Sequence, residues 1–119
     1  MDHKIELKFR EVVKDLEEKF GEGLDVDSIL LLIGVQELGQ GYRKFSKDEK
    51  KNLMHIAICT ILEPWGIYRF EKNDEDGWPH FEKIQSIPAI NSRQQEHLMK
   101  EAIINYFVTN GLVKLSEDN

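Results

Sequence analysis

The stretch Ile29-Leu30-Leu31-Leu32-Ile33-Gly34-Val35 decides the fold, because it is the densest apolar run in the chain. Advanced by about 100° per residue, its side chains point in every direction, and a helix that is apolar all round belongs inside a domain. Other segments must cover it. Asp25 or Asp27 can cap this helix, since a short carboxylate accepts hydrogen bonds from the free amides of the first turn. Gly34 costs about 1 kcal/mol of helix propensity relative to alanine, a loss offset where a neighbouring helix approaches closely. Beyond Val35, the sequence Gln36-Glu37-Leu38-Gly39-Gln40-Gly41-Tyr42 turns polar. The helix therefore leaves the core and ends near Gly39 or Gly41, spanning about 27–40.

The neighbour is announced by Ser46-Lys47-Asp48-Glu49, a capping box in which the serine oxygen takes a first-turn amide and the glutamate reaches back to the serine amide. Leu53 to Leu62 follows, again apolar on most faces, so a second interior helix spans about 47–62. Pro64 disfavours helical geometry at Glu63 and marks its end. Amphipathic helices flank this pair. Ile5, Phe9, Val12, Val13, Leu16 and Phe20 form one apolar stripe over residues 3–20, with Glu6 and Arg10, Lys14 and Glu18, and Asp15 and Lys19 four apart on the outer face. Gly21 and Gly23 stop that helix. Ser92 with Gln95 reads as a second capping box, opening a helix striped by Leu98, Met99, Ala102, Ile103, Tyr106 and Phe107 and closed by Gly111. Leu112 to Leu115 reads as a short packed tail and Ser116 to Asn119 as a fraying end.

Between the third and fourth helices the texture changes. Gly66 to Glu71 is rich in aromatic and β-branched residues, Asn73-Asp74-Glu75-Asp76-Gly77 is turn chemistry, and Trp78 to Ile84 can return. This predicts a β-hairpin, with Pro79 confining the return strand to an edge. The fold class is therefore mainly α: a four-helix, compact, bundle-like domain with one small β-hairpin between helices 3 and 4, residues 1–119 forming a single domain. No repeat or linker divides it.

Composition narrows function mainly by exclusion. With 22 acidic against 16 basic residues and a formal charge of −6, the chain repels a phosphate backbone on average, so nucleic acid is not an expected partner. The single cysteine, Cys59, cannot form an internal disulfide, which suits the reducing cytoplasm. Met1 to Glu6 lacks the basic start and continuous apolar stretch of a signal peptide, and no apolar run approaches the ~20 residues that cross a bilayer. No membrane partner is expected.

Several constellations could carry chemistry. His55, Cys59 and Glu63 fall four apart along one helix face, and imidazole, thiolate and carboxylate all bind zinc-like ions. A site needs more ligands, so the metal reading requires Glu37 and His80 to join His55 and Cys59. Because His55 and Cys59 sit among Ile56, Ile58, Ile61 and Leu62, the plainer reading is a hydrogen-bonded core histidine and an inert buried thiol, with no metal or cofactor. Cysteine–histidine catalysis needs an electropositive, open thiol, whereas Cys59 lies late in an apolar helix. Asn73 to Gly77 resembles part of a calcium loop, but with Gly77 in register Lys72 and Lys83 fall where acidic ligands belong. The basic residues Arg43, Lys44, Lys47, Lys50 and Lys51 sit where a helix-turn-helix could be read, yet the following helix offers isoleucine and leucine in place of polar side chains.

The aromatic hairpin remains the leading candidate surface. Trp65, Tyr68, Arg69, Trp78 and His80 supply residue types that dominate binding hot spots, and Glu37 and Tyr42 at the polar helix exit supply a second wall. The expected function is a binding or interaction module without catalytic activity, with another protein as partner. Two interior helices in so short a chain motivate self-association as a homodimer. The competing readings are a small metal-binding protein or metal-dependent enzyme using Glu37, His55, Cys59 and His80, and a helix-turn-helix-like nucleic-acid regulator.

Overall fold

Asp25 starts the central helix: its side chain accepts from the Ser28 amide at 2.8 Å, and helix α2 runs from Val26 to Leu38. Gly39 ends it with φ +73°, donating its amide to the Val35 carbonyl; this left-handed cap suits a residue without Cβ. Helix α3 (Lys47–Leu62) opens on the predicted capping box, Ser46 Oγ accepting from Glu49 N at 3.1 Å and Glu49 Oε1 from Ser46 N at 2.9 Å. A 3-10 turn, Glu63–Trp65, follows at Pro64. Helix α1 spans His3–Phe20 and helix α4 spans Ser92–Thr109. The computed structural model describes residues 3–87 and 89–113, and it is mainly α, with the hairpin between α3 and α4. Among the described residues, no helix is long and apolar enough to cross a membrane.

Two compact units are present, one built on α1 and α4, the other on α2, α3 and the hairpin. In the first, Lys100 Nζ donates to both carboxylate oxygens of Glu6 at 3.1 Å and lies 5.3 Å from the Phe9 ring centre, while Lys19 Nζ donates to the Leu112 carbonyl at 3.0 Å. Glu6 meets Lys100 and Lys19 meets Leu112, so α1 and α4 run parallel. Burial lowers the affinity of Lys100 for its proton, but the hydrogen bonds to Glu6 and Glu96 outweigh this and raise its pKa. Of the expected surface pairs on α1, Asp15 and Lys19 meet at 3.2 Å, whereas Glu6 turns to Lys100. Helix α4 begins one residue earlier in its capping register than expected: Asn91 and Gln94 make the box, not Ser92 and Gln95. Val113 is buried, and the rest of the expected tail and frayed end, 114–119, lies outside the described residues.

In the second unit, α2 and α3 cross at Gly34. A Cβ built there would overlap the Leu53 carbonyl oxygen and lie 2.8 Å from its carbon, so only glycine permits this approach. Val35, Leu38, Phe45 and Leu53 form a buried cluster at this end, with Leu31 and Trp78 packed against it. The all-round burial expected of residues 29–35 holds for Ile29, Leu30, Ile33, Gly34 and Val35, while Leu31 and Leu32 are half-buried.

The hairpin pairs β1 (Tyr68–Asn73) with β2 (Pro79–Lys83) antiparallel, Phe70 opposite Phe81 and Lys72 opposite His80, with a bulge between Phe70 and Lys72. The first strand starts two residues later than Gly66–Glu71 because Gly66, at φ +76°, closes the 3-10 turn, and the second is shorter than Trp78–Ile84 at both ends, Trp78 belonging to the hairpin tip. Buried Ile67 ties the base by accepting from Ile84 N at 2.8 Å.

Candidate functional site

The hairpin tip is organised by one carboxylate. Asp74 Oδ1 accepts from the amides of Asp76 (2.9 Å) and Trp78 (3.0 Å), and Asp74 N donates to the Trp78 carbonyl at 2.9 Å. Its second oxygen lies 3.0 Å from His80 Nε2. The His80 hydrogen bond, followed by the Trp78 amide, holds the Asp74 carboxyl below its ordinary pKa. Gly77 takes φ +86° to make the turn, and Gln40 Nε2 donates to the Asp76 carbonyl at 2.9 Å. The polar exit of α2 therefore grips the tip. From that tip the indole of Trp78 is delivered onto the Val35–Leu53 cluster, which fixes the hairpin against α2 and α3.

The facing wall is α3. Asp48, Lys51, Asn52 and His55 are all exposed, and their spacing of three, four and seven makes a polar stripe along its first turns. His55 is therefore not the core histidine expected from its apolar neighbours: it is exposed, with its ring edge-on to Tyr68 at 6.3 Å between centres. Cys59, one turn on, is fully buried, its Sγ 3.5 Å from His55 Nε2. Burial pushes the Cys59 thiol up to about 11, so it stays protonated at neutral pH.

Between these walls lies an open cleft of about 410 Å³. Glu49, Asn52, His55 and Ile56 line it from α3; Asp74, Asp76, Trp78, Pro79, His80 and Phe81 line it from the hairpin. Two carboxylates are already engaged: Glu49 in its capping box and with Arg43 (3.4 Å), and Asp74 in the turn. The Asp76 carboxylate and the Asn52 amide have no partner among the described residues.

No family model, curated protein or solved structure matches this chain. Its chemistry must be read from the cleft itself.

Of the seven residues assigned to a binding surface, Trp78 and His80 line the cleft and Tyr68 supports it through His55. Arg69 points to a cross-strand ion pair with Glu82 at 2.7 Å, and Trp65 is half-buried in the 3-10 turn. Glu37 and Tyr42 are exposed outside the cleft lining. Of the alternative metal set, His55 meets Cys59, but no group of three or more His, Cys, Asp or Glu is arranged to hold a metal ion among the described residues. The basic cluster is partly spent internally, Arg43 pairing with Glu49 and lying 4.2 Å over the Phe45 ring. Contrary to expectation, α3 offers lysines, Asn52 and His55 to solvent along its first half, not isoleucine and leucine alone.

Asn52, Asp74, Asp76 and Phe81 were not among the assigned residues. A helical projection of 48–55 reveals the polar stripe carrying Asn52 and His55. The pairing of Asp74 with His80 depends on the turn and the bulge, which no local spacing specifies.

Proposed function

We propose that this protein is a binding module, without catalytic activity of its own, that engages a protein partner through the cleft between α3 and the hairpin. What supports the reading most is that a half-buried tryptophan anchors one wall opposite an exposed imidazole, in a hollow of about 410 Å³ where the Asp76 carboxylate and Asn52 amide have no partner among the described residues. That volume falls within the roughly 300–1,000 Å³ of ligand sites. The lining carries no serine or threonine, and the nearby thiol is buried and protonated, so an activated nucleophile is not part of the proposal. Acidic residues interleave with the lysines of α3, and three carboxylates line the cleft, which argues against nucleic acid.

The test is an NMR screen of blocked tripeptides carrying arginine, lysine, glutamate or leucine between glycines, read on the Trp78 indole and the His55 and His80 imidazoles. The reading predicts that at least one class perturbs these signals together. Silence from all four classes would remove it. A second copy of the chain is a further candidate partner; sedimentation that shows only monomer at all concentrations would exclude it.

A further inference from the structure

We infer that the guest of this cleft is an organic cation on an alkyl stem, in the form of an arginine or lysine side chain from the partner. The inference rests on the proposed binding role and specifies its chemistry. Among the described residues, three carboxylates and no lysine or arginine line the cleft, so its field favours a cation. Glu49 and Asp74 are held by their own hydrogen bonds, whereas Asp76 stands at the hairpin tip with its backbone fixed on both sides, by Gln40 at its carbonyl and Asp74 at its amide. Its carboxylate is thus positioned without being consumed. Across the cleft Asn52, whose amide has no partner among the described residues, supplies a second acceptor for a multi-donor head group.

The remaining lining suits the stem. The half-buried Trp78 and Phe81 present apolar surface beside those acceptors, and long basic side chains lay their methylenes on such surface while keeping the charged head polar. Aromatic faces also attract cations directly. An acidic side chain would meet the like charge of Asp76, and a purely apolar one would cover Asp76 and Asn52 without giving them partners.

The probes are the arginine and lysine tripeptides, with glutamate and leucine tripeptides as controls and agmatine as a free amine, titrated into the intact protein at low and high salt. The arginine or lysine peptide should shift the Trp78, His55 and His80 signals with a Kd on the order of 1 mM. Asp76→Asn should weaken that binding roughly two- to fivefold, the range of one exposed charge pair, and salt should weaken it further. Circular dichroism and the Trp78 signal of the variant without ligand establish that the hairpin is intact. Agmatine binding as well as the peptides would place the source of the cation among free amines. If the glutamate or leucine peptide shifts the signals and the basic ones do not, the cation assignment fails while the binding role stands. If nothing binds, both fail. Basic peptides that bind equally well to Asp76→Asn and at high salt would also overturn the assignment.

Discussion

Replacing Gly34 by alanine separates two physical effects of opposite sign. On helix propensity alone the change stabilises α2 by about 1 kcal/mol. In the folded protein the new methyl would overlap the Leu53 carbonyl oxygen, lie 2.8 Å from its carbon and 3.0 Å from the Leu53 Cβ, where ordinary contact begins at 3.4 Å. These are backbone or near-backbone atoms of a neighbouring helix, so no rotamer change relieves them, and α3 must retreat by about half an ångström or more. Gaps of that size forfeit roughly a quarter to a half of each dispersion contact they open. The clash therefore belongs at the upper end of the ~1–3 kcal/mol observed for overpacked cores. Net of propensity, the expected loss is about 2 kcal/mol, or roughly 8 °C in Tm for a chain of this size. Urea denaturation followed by far-UV circular dichroism measures it, with Gln36→Ala on the exposed face as a control expected to change stability by less than about 0.5 kcal/mol. A Gly34→Ala protein as stable as the parent, or more so, would refute the close crossing of α2 and α3.

Trp78→Ala removes the anchor of the hairpin and should cost about 2 kcal/mol, below the full ~3–5 of a buried aromatic because the ring is half-buried. In the same variant the tip amides of Asp76 and Trp78's replacement should lose hydrogen-exchange protection more than α2 does. Cys59 should resist iodoacetamide at pH 8 in the folded protein and react promptly in denaturant, because burial blocks access and keeps the thiol protonated. Asp74 binds its proton less readily in the fold than in the unfolded chain, so its contribution to the tip is fully present above the ordinary carboxyl pKa of 3.8 and is lost as pH falls through its lower folded value. NMR should accordingly show the Trp78 amide retaining its folded shift at pH 5 and moving as acid protonates Asp74, whereas Asp74→Asn abolishes this acid step.

The helices were legible because each carries local instructions that agree with its environment. Ser46 and Glu49 form their box as written, and Gly39 supplies the one conformation that ends α2 cleanly. The second box was ambiguous by one residue because Asn91 with Gln94 and Ser92 with Gln95 satisfy the same spacing, and only Asn91 takes the extended backbone of a cap. His55 was misplaced for a different reason. Its sequence neighbours Ile56 and Ala57 are buried, but a helix turns about 100° per residue, and its true companions are Asp48, Lys51 and Asn52. The cleft is less legible still. It exists because Trp78 packs on residues more than twenty positions away and because a bulge after Phe70 sets His80 beside Asp74. Such non-local register is specified by packing, not by any short motif.

The central claim is that Trp78 seats the hairpin on α2 and α3, so that His55 and His80 open onto one hollow. A nuclear Overhauser spectrum of the intact protein tests it most directly. Cross-peaks from the Trp78 indole to Val35, Leu38 and Leu53 methyls are predicted, with both imidazoles open to solvent; an indole that shows none of them, or a His55 ring sealed among the isoleucines of α3, would contradict it.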